Sequence, residues 1–207
     1  MVGDRWTLLI VRELLLRGAC RYTDLRNGLP GIATNLLADR LRQLERAGVV
    51  SREEAPAPIA TTLFRLTKRG EELKDALVEL GRWGVPLMSE PGAHDSFRSH
   101  WLAMPVALFL TDHTPERPPV TIEVQTGEEP IVIETAEGGA RTRPGVAEQA
   151  DAVLRGTPRL VLGVLSGQLD LAAAEARGLR YEGDAQVLLR VLRKHAAASE
   201  RDLQPVA

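Results

Sequence analysis

Apolar positions recur at helical spacing through the first third of the chain. Trp6, Leu9, Ile10, Leu14 and Leu15 predict a helix running from a cap at Asp4 to Arg17, with Gly18 as its stop. Thr23 begins a short second helix, ended by Gly28 and Pro30. Leu36, Leu37, Leu41 and Leu44 form one stripe of a third helix that begins near Thr34 and is closed by Gly48. Two strand-like runs follow at 49–54 and 62–66, joined by a link at 55–61 that contains Pro56 and Pro58. Thr67 then caps a last long helix through Glu71, Leu73, Leu77, Leu80 and Trp83.

From Ser96 the pattern changes. Phe97, Trp101, Leu102, Ala103, Val106, Ala107 and Phe109 read as an apolar helix, bent or interrupted by Pro105. Residues 120–124 and 131–134 alternate or run as strands, separated by Thr126, Gly127 and Glu128. Glu137, Gly138 and Gly139 turn the chain into a further strand at 140–143. Thr157 and Pro158 open a helix that Ser166 and Gly167 end, with proline at a tolerated first-turn position. Asp170 caps a short helix, 179–182 is strand-like, and Asp184 caps a last helix with Val187, Leu188, Val191 and Leu192. The fold class expected is α+β, with a mostly helical first part and its hairpin, then a small, mainly antiparallel sheet with helices on one face. Prolines and glycine at 86–95 mark the junction, which gives domains at 1–90 and 95–200.

Composition narrows the class. A chain of 207 residues with 44% hydrophobic and 26% charged side chains has enough apolar material for real cores in a soluble globular protein. No apolar run approaches a membrane span, and the first residues lack the pattern of a secretory leader. One cysteine, Cys20, excludes an internal disulfide framework, so a cytoplasmic protein is expected. The net charge of −2 argues at face value against a nucleic-acid partner. It is an average, however. Residues 1–86 carry 14 Lys and Arg against 11 Asp and Glu, while 87–207 carry 12 against 17.

Helix, short helix, glycine-containing turn, helix and β-hairpin is the order of a winged helix-turn-helix. The leucine stripe holds the third helix against the other two, leaving its opposite face, with Thr34, Asn35, Ala38, Asp39, Arg42 and Gln43, for a partner. Short polar residues at a helix start approach base edges closely, and Asn and Arg can contact adenine and guanine. Arg21, Tyr22 and Thr23, at the start of the second helix, are placed to touch backbone phosphates. Arg40 falls towards the packed side, where it either bridges to an acidic neighbour or reaches DNA. Trp6 and Trp83 read as core or interface anchors, and Cys20 as a plain surface thiol unless a depressed pKa and a second thiol make it a redox sensor.

The segments Gly3-Asp-Arg-Trp-Thr-Leu-Leu-Ile10, Arg21-Tyr-Thr-Asp-Leu25, Leu29-Pro-Gly-Ile-Ala-Thr-Asn-Leu-Leu-Ala-Asp-Arg-Leu41, Leu44-Glu-Arg-Ala-Gly-Val-Val50 and Leu66-Thr-Lys-Arg-Gly70 resemble the HxlR-type winged-helix regulators. The resemblance covers about residues 3–86. It implies a dimeric bacterial transcription regulator whose third helix enters the major groove, with the hairpin wing beside the minor groove. Family members usually carry one more helix before the Gly-Asp-Arg-Trp segment. Only two residues precede Gly3, so either the start is truncated or dimerisation relies on the long helix after Thr67. The wing tip at 55–61 lacks the family's usual basic residue, which leaves Arg52 and Arg65 on the strands as the nearest candidates for DNA.

The second half holds no catalytic constellation. His94, His100, His113 and His195 have no metal-ligand spacing, and the glycines make no phosphate loop, so neither an enzyme nor a cofactor is expected. Asp151-Ala-Val-Leu154 and the run at 160–184, ending Tyr-Glu-Gly-Asp, resemble the second half of the sterol-carrier-protein type-two fold. That resemblance covers about 119–195 and implies an apolar pocket, for which Trp101, Val106, Phe109, Leu162, Leu165 and Leu188 are the candidate lining; a filled core would use the same residues. The expectation is a homodimeric, sequence-specific regulator that binds a double-stranded DNA operator, with a second domain that either senses an apolar small molecule or supports the dimer. The alternative is a carrier of lipids or other hydrophobic ligands whose winged helix serves for docking or dimerisation.

Overall fold

The computed structural model describes residues 3–55, 61–84, 96–127 and 129–192. The expected junction at 86–95, the wing-tip prolines Pro56 and Pro58, the turn residue Glu128, and His94 and His195 lie outside them. The chain divides into two units, Met1–Arg98 and Ser99–Ala207.

In the first unit, α1 (Arg5–Arg17) starts where the Asp4 carboxylate accepts the Trp6 amide at 3.0 Å, and it stops at Gly18. A two-residue strand, β1 (Cys20–Arg21), leads into α2 (Tyr22–Gly28) and then α3 (Thr34–Arg46). Their facing stripes bury Ile10, Val11 and Leu14 of α1, Leu25 of α2, and Leu37, Leu41 and Leu44 of α3. Burying a leucine is worth about 2 kcal/mol, so this cluster is what orders three short helices. Glu13 lies wholly buried among them, ion-paired with Arg12 at 2.9 Å and Arg17 at 3.2 Å. Gly28 is packed against it so closely that an added methyl would run into the Glu13 carboxylate, which explains why α2 ends on glycine.

The strands β2 (Val50–Glu54) and β3 (Thr62–Leu66) form the hairpin, and β1 pairs with the outer edge of β3 to give an antiparallel sheet in the order β1-β3-β2. Thr67 caps as expected, its hydroxyl accepting the Gly70 amide at 3.1 Å. The long helix predicted after it is split into α4 (Lys68–Glu71) and α5 (Leu73–Gly84). Gly70, a poor helix former, sits in the short piece and is pressed against the Val49 carbonyl.

The second unit opens with one turn of 3-10 helix (Ser99–Leu102) and α6 (Ala103–Phe109), with Pro105 in the first turn of α6, where its missing N–H costs nothing. A five-stranded sheet follows: β4 (Thr121–Gln125), β5 (Ile131–Ala136), β6 (Gly139–Pro144), β7 (Ala152–Arg155) and, after α7 (Pro158–Leu165) and α8 (Leu171–Glu175), β8 (Arg180–Gly183). The order is β6-β5-β4-β7-β8, and the sheet is mixed because β7 returns beside β4 in parallel. Glu137 and Gly138, both at positive φ, make the two-residue turn between β5 and β6. The register sets Ile122, Ile133 and Ala152, then Val124, Ile131 and Leu154, side by side on one buried face. Val106, Val161, Val164, Leu165, and Leu188 and Val191 of α9 (Ala185–Val191) complete the core. No helix among the described residues is long and apolar enough to cross a membrane.

Two buried polar groups yield measurable consequences. Arg190 of α9 grips both oxygens of Asp112 at 2.8 Å and also donates to the carbonyls of Pro118 and Thr114, so one side chain pins the 112–118 segment. These hydrogen bonds hold the Asp112 carboxyl below its ordinary value. The pair's contribution is therefore complete above the unfolded carboxylate pKa of about 3.9 and disappears on acidification through the lower native value. Arg190→Met is expected to cost about 3 kcal/mol near neutrality and to remove that part of the acid dependence, read from denaturant unfolding between pH 2 and pH 7.

Cys20 lies in β1 and is 3% exposed, so it is not the surface thiol expected from the sequence; burial pushes it up to about 11 against the opposing pull of Arg17. A thiol so protonated is a poor nucleophile, the reverse of a redox sensor. Alkylation by iodoacetamide at neutral pH should be at least about tenfold slower in the native chain than in denaturant; equal rates would contradict the burial.

Candidate nucleic-acid interface

The third helix presents two unlike faces. Leu37, Leu41 and Leu44 are buried, while Thr34, Asn35, Asp39 and Arg42 are exposed and Ala38 is half-buried between them. Three contacts fix the helix. The leucine stripe is the first. The second is Arg40, whose guanidinium reaches Asp4 Oδ2 at 2.6 Å and Gln43 Oε1 at 2.6 Å, which assigns Arg40 to the acidic neighbour. The third is Tyr22, whose hydroxyl donates to the Thr34 carbonyl at 2.6 Å across the turn between α2 and α3.

At its start α3 has no side-chain cap, since Ala33 occupies the N-cap position. Asn35 turns its carbonyl oxygen to the Leu36 amide at 2.9 Å, which directs the two hydrogens of its amide nitrogen outward. Arg42 is ion-paired with Asp39 on the same helix. Asp39, Arg42, Gln43, Glu45 and Arg46 line an open concavity of about 710 Å3 along this face.

The expected phosphate contacts fall in two groups. Arg21 and Thr23 are exposed, whereas Tyr22 is half-buried with its hydroxyl proton committed to α3. Arg21 lies in β1 opposite Leu63, and Arg65 lies opposite Ser51, so strand alternation sets Arg21 and Arg65 on one face of the small sheet. Arg52, opposite Phe64, is on the other face, towards α3, where it pairs with Glu45 at 3.4 Å. Arg65 pairs with Glu53 at 3.5 Å. The two wing arginines thus flank the hairpin instead of pointing the same way.

Sequence reading did not find Tyr22 as a holder of α3, nor Asp4 as the partner of Arg40. Asp4 carried a signal only as a helix cap, and its separation of 36 positions from Arg40 hides the pairing. Trp6 is half-buried with the Arg5 guanidinium 5.0 Å from its ring centre, while Trp83 is 71% and Leu80 50% exposed on α5. In the second unit, Val106, Phe109, Leu165 and Leu188 are buried core residues, and Trp101 and Leu162 are half-buried.

The model of the family described as HxlR-like helix-turn-helix matches residues 1–91, ending before the second unit begins. The HTH-type transcriptional regulator YvaP of Bacillus subtilis is 34% identical over 85 residues, 41% of this chain and 78% of that protein. YodB, an HTH-type transcriptional regulator of the same organism, is 30% identical over 92 residues, 44% of this chain and 80% of the relative. The Synechocystis HTH-type regulator sll1512 is 34% identical over 84 residues, and there the chain spans 62% of the relative's length. Among solved structures, the reduced form of YodB aligns with 44% of this chain and 87% of its own at 31% identity and a TM-score of 0.38. By its identity to relatives of which it covers more than two thirds, the chain belongs to the HxlR-like helix-turn-helix family.

Proposed function

We propose that this chain is a sequence-specific, DNA-binding transcription regulator that acts as a homodimer in the cytoplasm, with α3 in the major groove of an operator. The observation that carries the reading is the exposed polar face of α3, with Thr34, Asn35 and Arg42 on a helix held from behind by buried leucines and the Asp4–Arg40 pair. Such a helix can present Asn to adenine and Arg to guanine in fixed register. Arg21 and Thr23 bind the flanking phosphates, and Arg52 and Arg65 serve the wing on either side. Self-association is supported by α5, where Leu80 and Trp83, three residues apart, leave two large apolar side chains on one helix face exposed to solvent.

The second unit takes the role of an effector domain in this reading. Half-buried Trp101 and Leu162, next to the buried Val106, Phe109, Leu165 and Leu188, are the side chains an apolar small molecule would meet. Binding there changes the spacing of the two α3 helices in the dimer and so alters operator affinity.

Gel-shift titration with duplexes from the region flanking the gene tests the proposal. The wild-type chain should give a salt-sensitive, sequence-selective shift. Asn35→Ala should lower discrimination between operator and random DNA about tenfold, while Arg21→Ala weakens both alike. Trp83→Glu should convert a sedimenting dimer to a monomer and abolish the selective shift. A monomeric wild-type chain that shifts no duplex overturns the reading.

A further inference from the structure

The arginines along α3 and its junction with the wing are exposed yet already paired. Arg42 is bonded to Asp39, and Arg52 of β2 reaches back to Glu45 of α3 at 3.4 Å; the two guanidinium side chains are 68% and 59% exposed. Arg46, on the same concave face, and Arg21 make no ion pair among the described residues. Exposed pairs of this kind add at most about 1 kcal/mol to folding, so fold stability gives little reason for them. Their effect on a polyanion is larger. A free arginine that meets a phosphate releases a condensed counterion, whereas a paired one must first leave its carboxylate, which then faces the phosphates itself.

Resting on the proposed DNA-binding role, we propose that Asp39 and Glu45 limit the strength of this face by holding Arg42 and Arg52 in internal ion pairs, so that nonspecific DNA meets mainly the unpaired cations such as Arg21 and Arg46. The two carboxylates act through the arginines and are positioning residues. A helix otherwise equipped with three arginines in its second half, Arg40, Arg42 and Arg46, is thereby left with one that is unpaired, since Arg40 is taken by Asp4.

The test is binding to a random-sequence duplex over a range of salt concentrations, with the full-length chain. Asp39→Asn/Glu45→Gln should bind about tenfold tighter at low salt and steepen the plot of log K against log salt by about 2, one unit for each arginine released. The control Glu148→Gln/Glu175→Gln makes the same change in net charge on exposed residues of the second unit and should leave the slope unchanged. Adding Arg42→Gln and Arg52→Gln to the first variant should return the slope to its starting value. An unchanged slope in Asp39→Asn/Glu45→Gln, or an equal change in the control, overturns the proposal while wild-type binding persists. Absence of any binding by wild type and variants overturns the DNA-binding reading with it.

Discussion

The carboxylate of Asp4 has two oxygens, and the first unit uses each for a different helix. Oδ1 accepts the Trp6 amide and starts α1, while Oδ2 holds the Arg40 guanidinium in the middle of α3. The side chains are partly shielded, 31% and 23% exposed, so the attraction is screened less than that of a surface pair. One residue thereby ties the start of the chain's first helix to the rotation of its third. The buried leucines alone would tolerate small rotations of α3 about its axis. A hydrogen-bonded ion pair at the middle of the helix and the Tyr22–Thr34 bond at its start do not. The proposed base readout depends on that rigidity, since a side chain displaced by an ångström no longer meets its base edge.

Helix caps and apolar stripes were legible because their chemistry is local. Asp4, Thr67, Thr157, Asp170 and Asp184 each accept a backbone amide two or three residues on, a contact that a short polar side chain before an apolar run announces. The exposed face of α3 was legible for the same reason, as the complement of the Leu37–Leu41–Leu44 stripe. Features that depend on long-range partners were not. β1 has two residues and no periodicity, and only its register against Leu63 and Phe64 makes it a strand. Three of the four strand pairings keep the expected mainly antiparallel layer, while the return of β7 beside β4 is parallel, and nothing in residues 152–155 encodes the direction of a neighbour 30 residues away. The Arg52–Glu45 pair likewise crosses from strand to helix.

Charge behaves differently at each scale. The chain is −2, the first 86 residues are positive and the remainder negative, yet the face that carries the functional reading is near neutral because Arg42, Arg52 and Arg65 are each matched by a neighbouring acid, with Arg21 and Arg46 in excess. A near-neutral face gains little from the duplex as a uniform polyanion and depends on directed contacts. In the proposed homodimer, geometry adds a second requirement, because two helices that each bind weakly become selective when their spacing matches two half-sites.

The most direct test of a symmetric, sequence-reading dimer is to let the protein choose its own DNA. Purified chain is incubated with a pool of random duplexes, bound molecules are recovered and amplified over several rounds, and the final pool is sequenced. A dimer reading through α3 predicts enrichment of one motif with two-fold symmetry and half-site centres about one helical turn, roughly 10 base pairs, apart. A final pool with no enriched motif would contradict it.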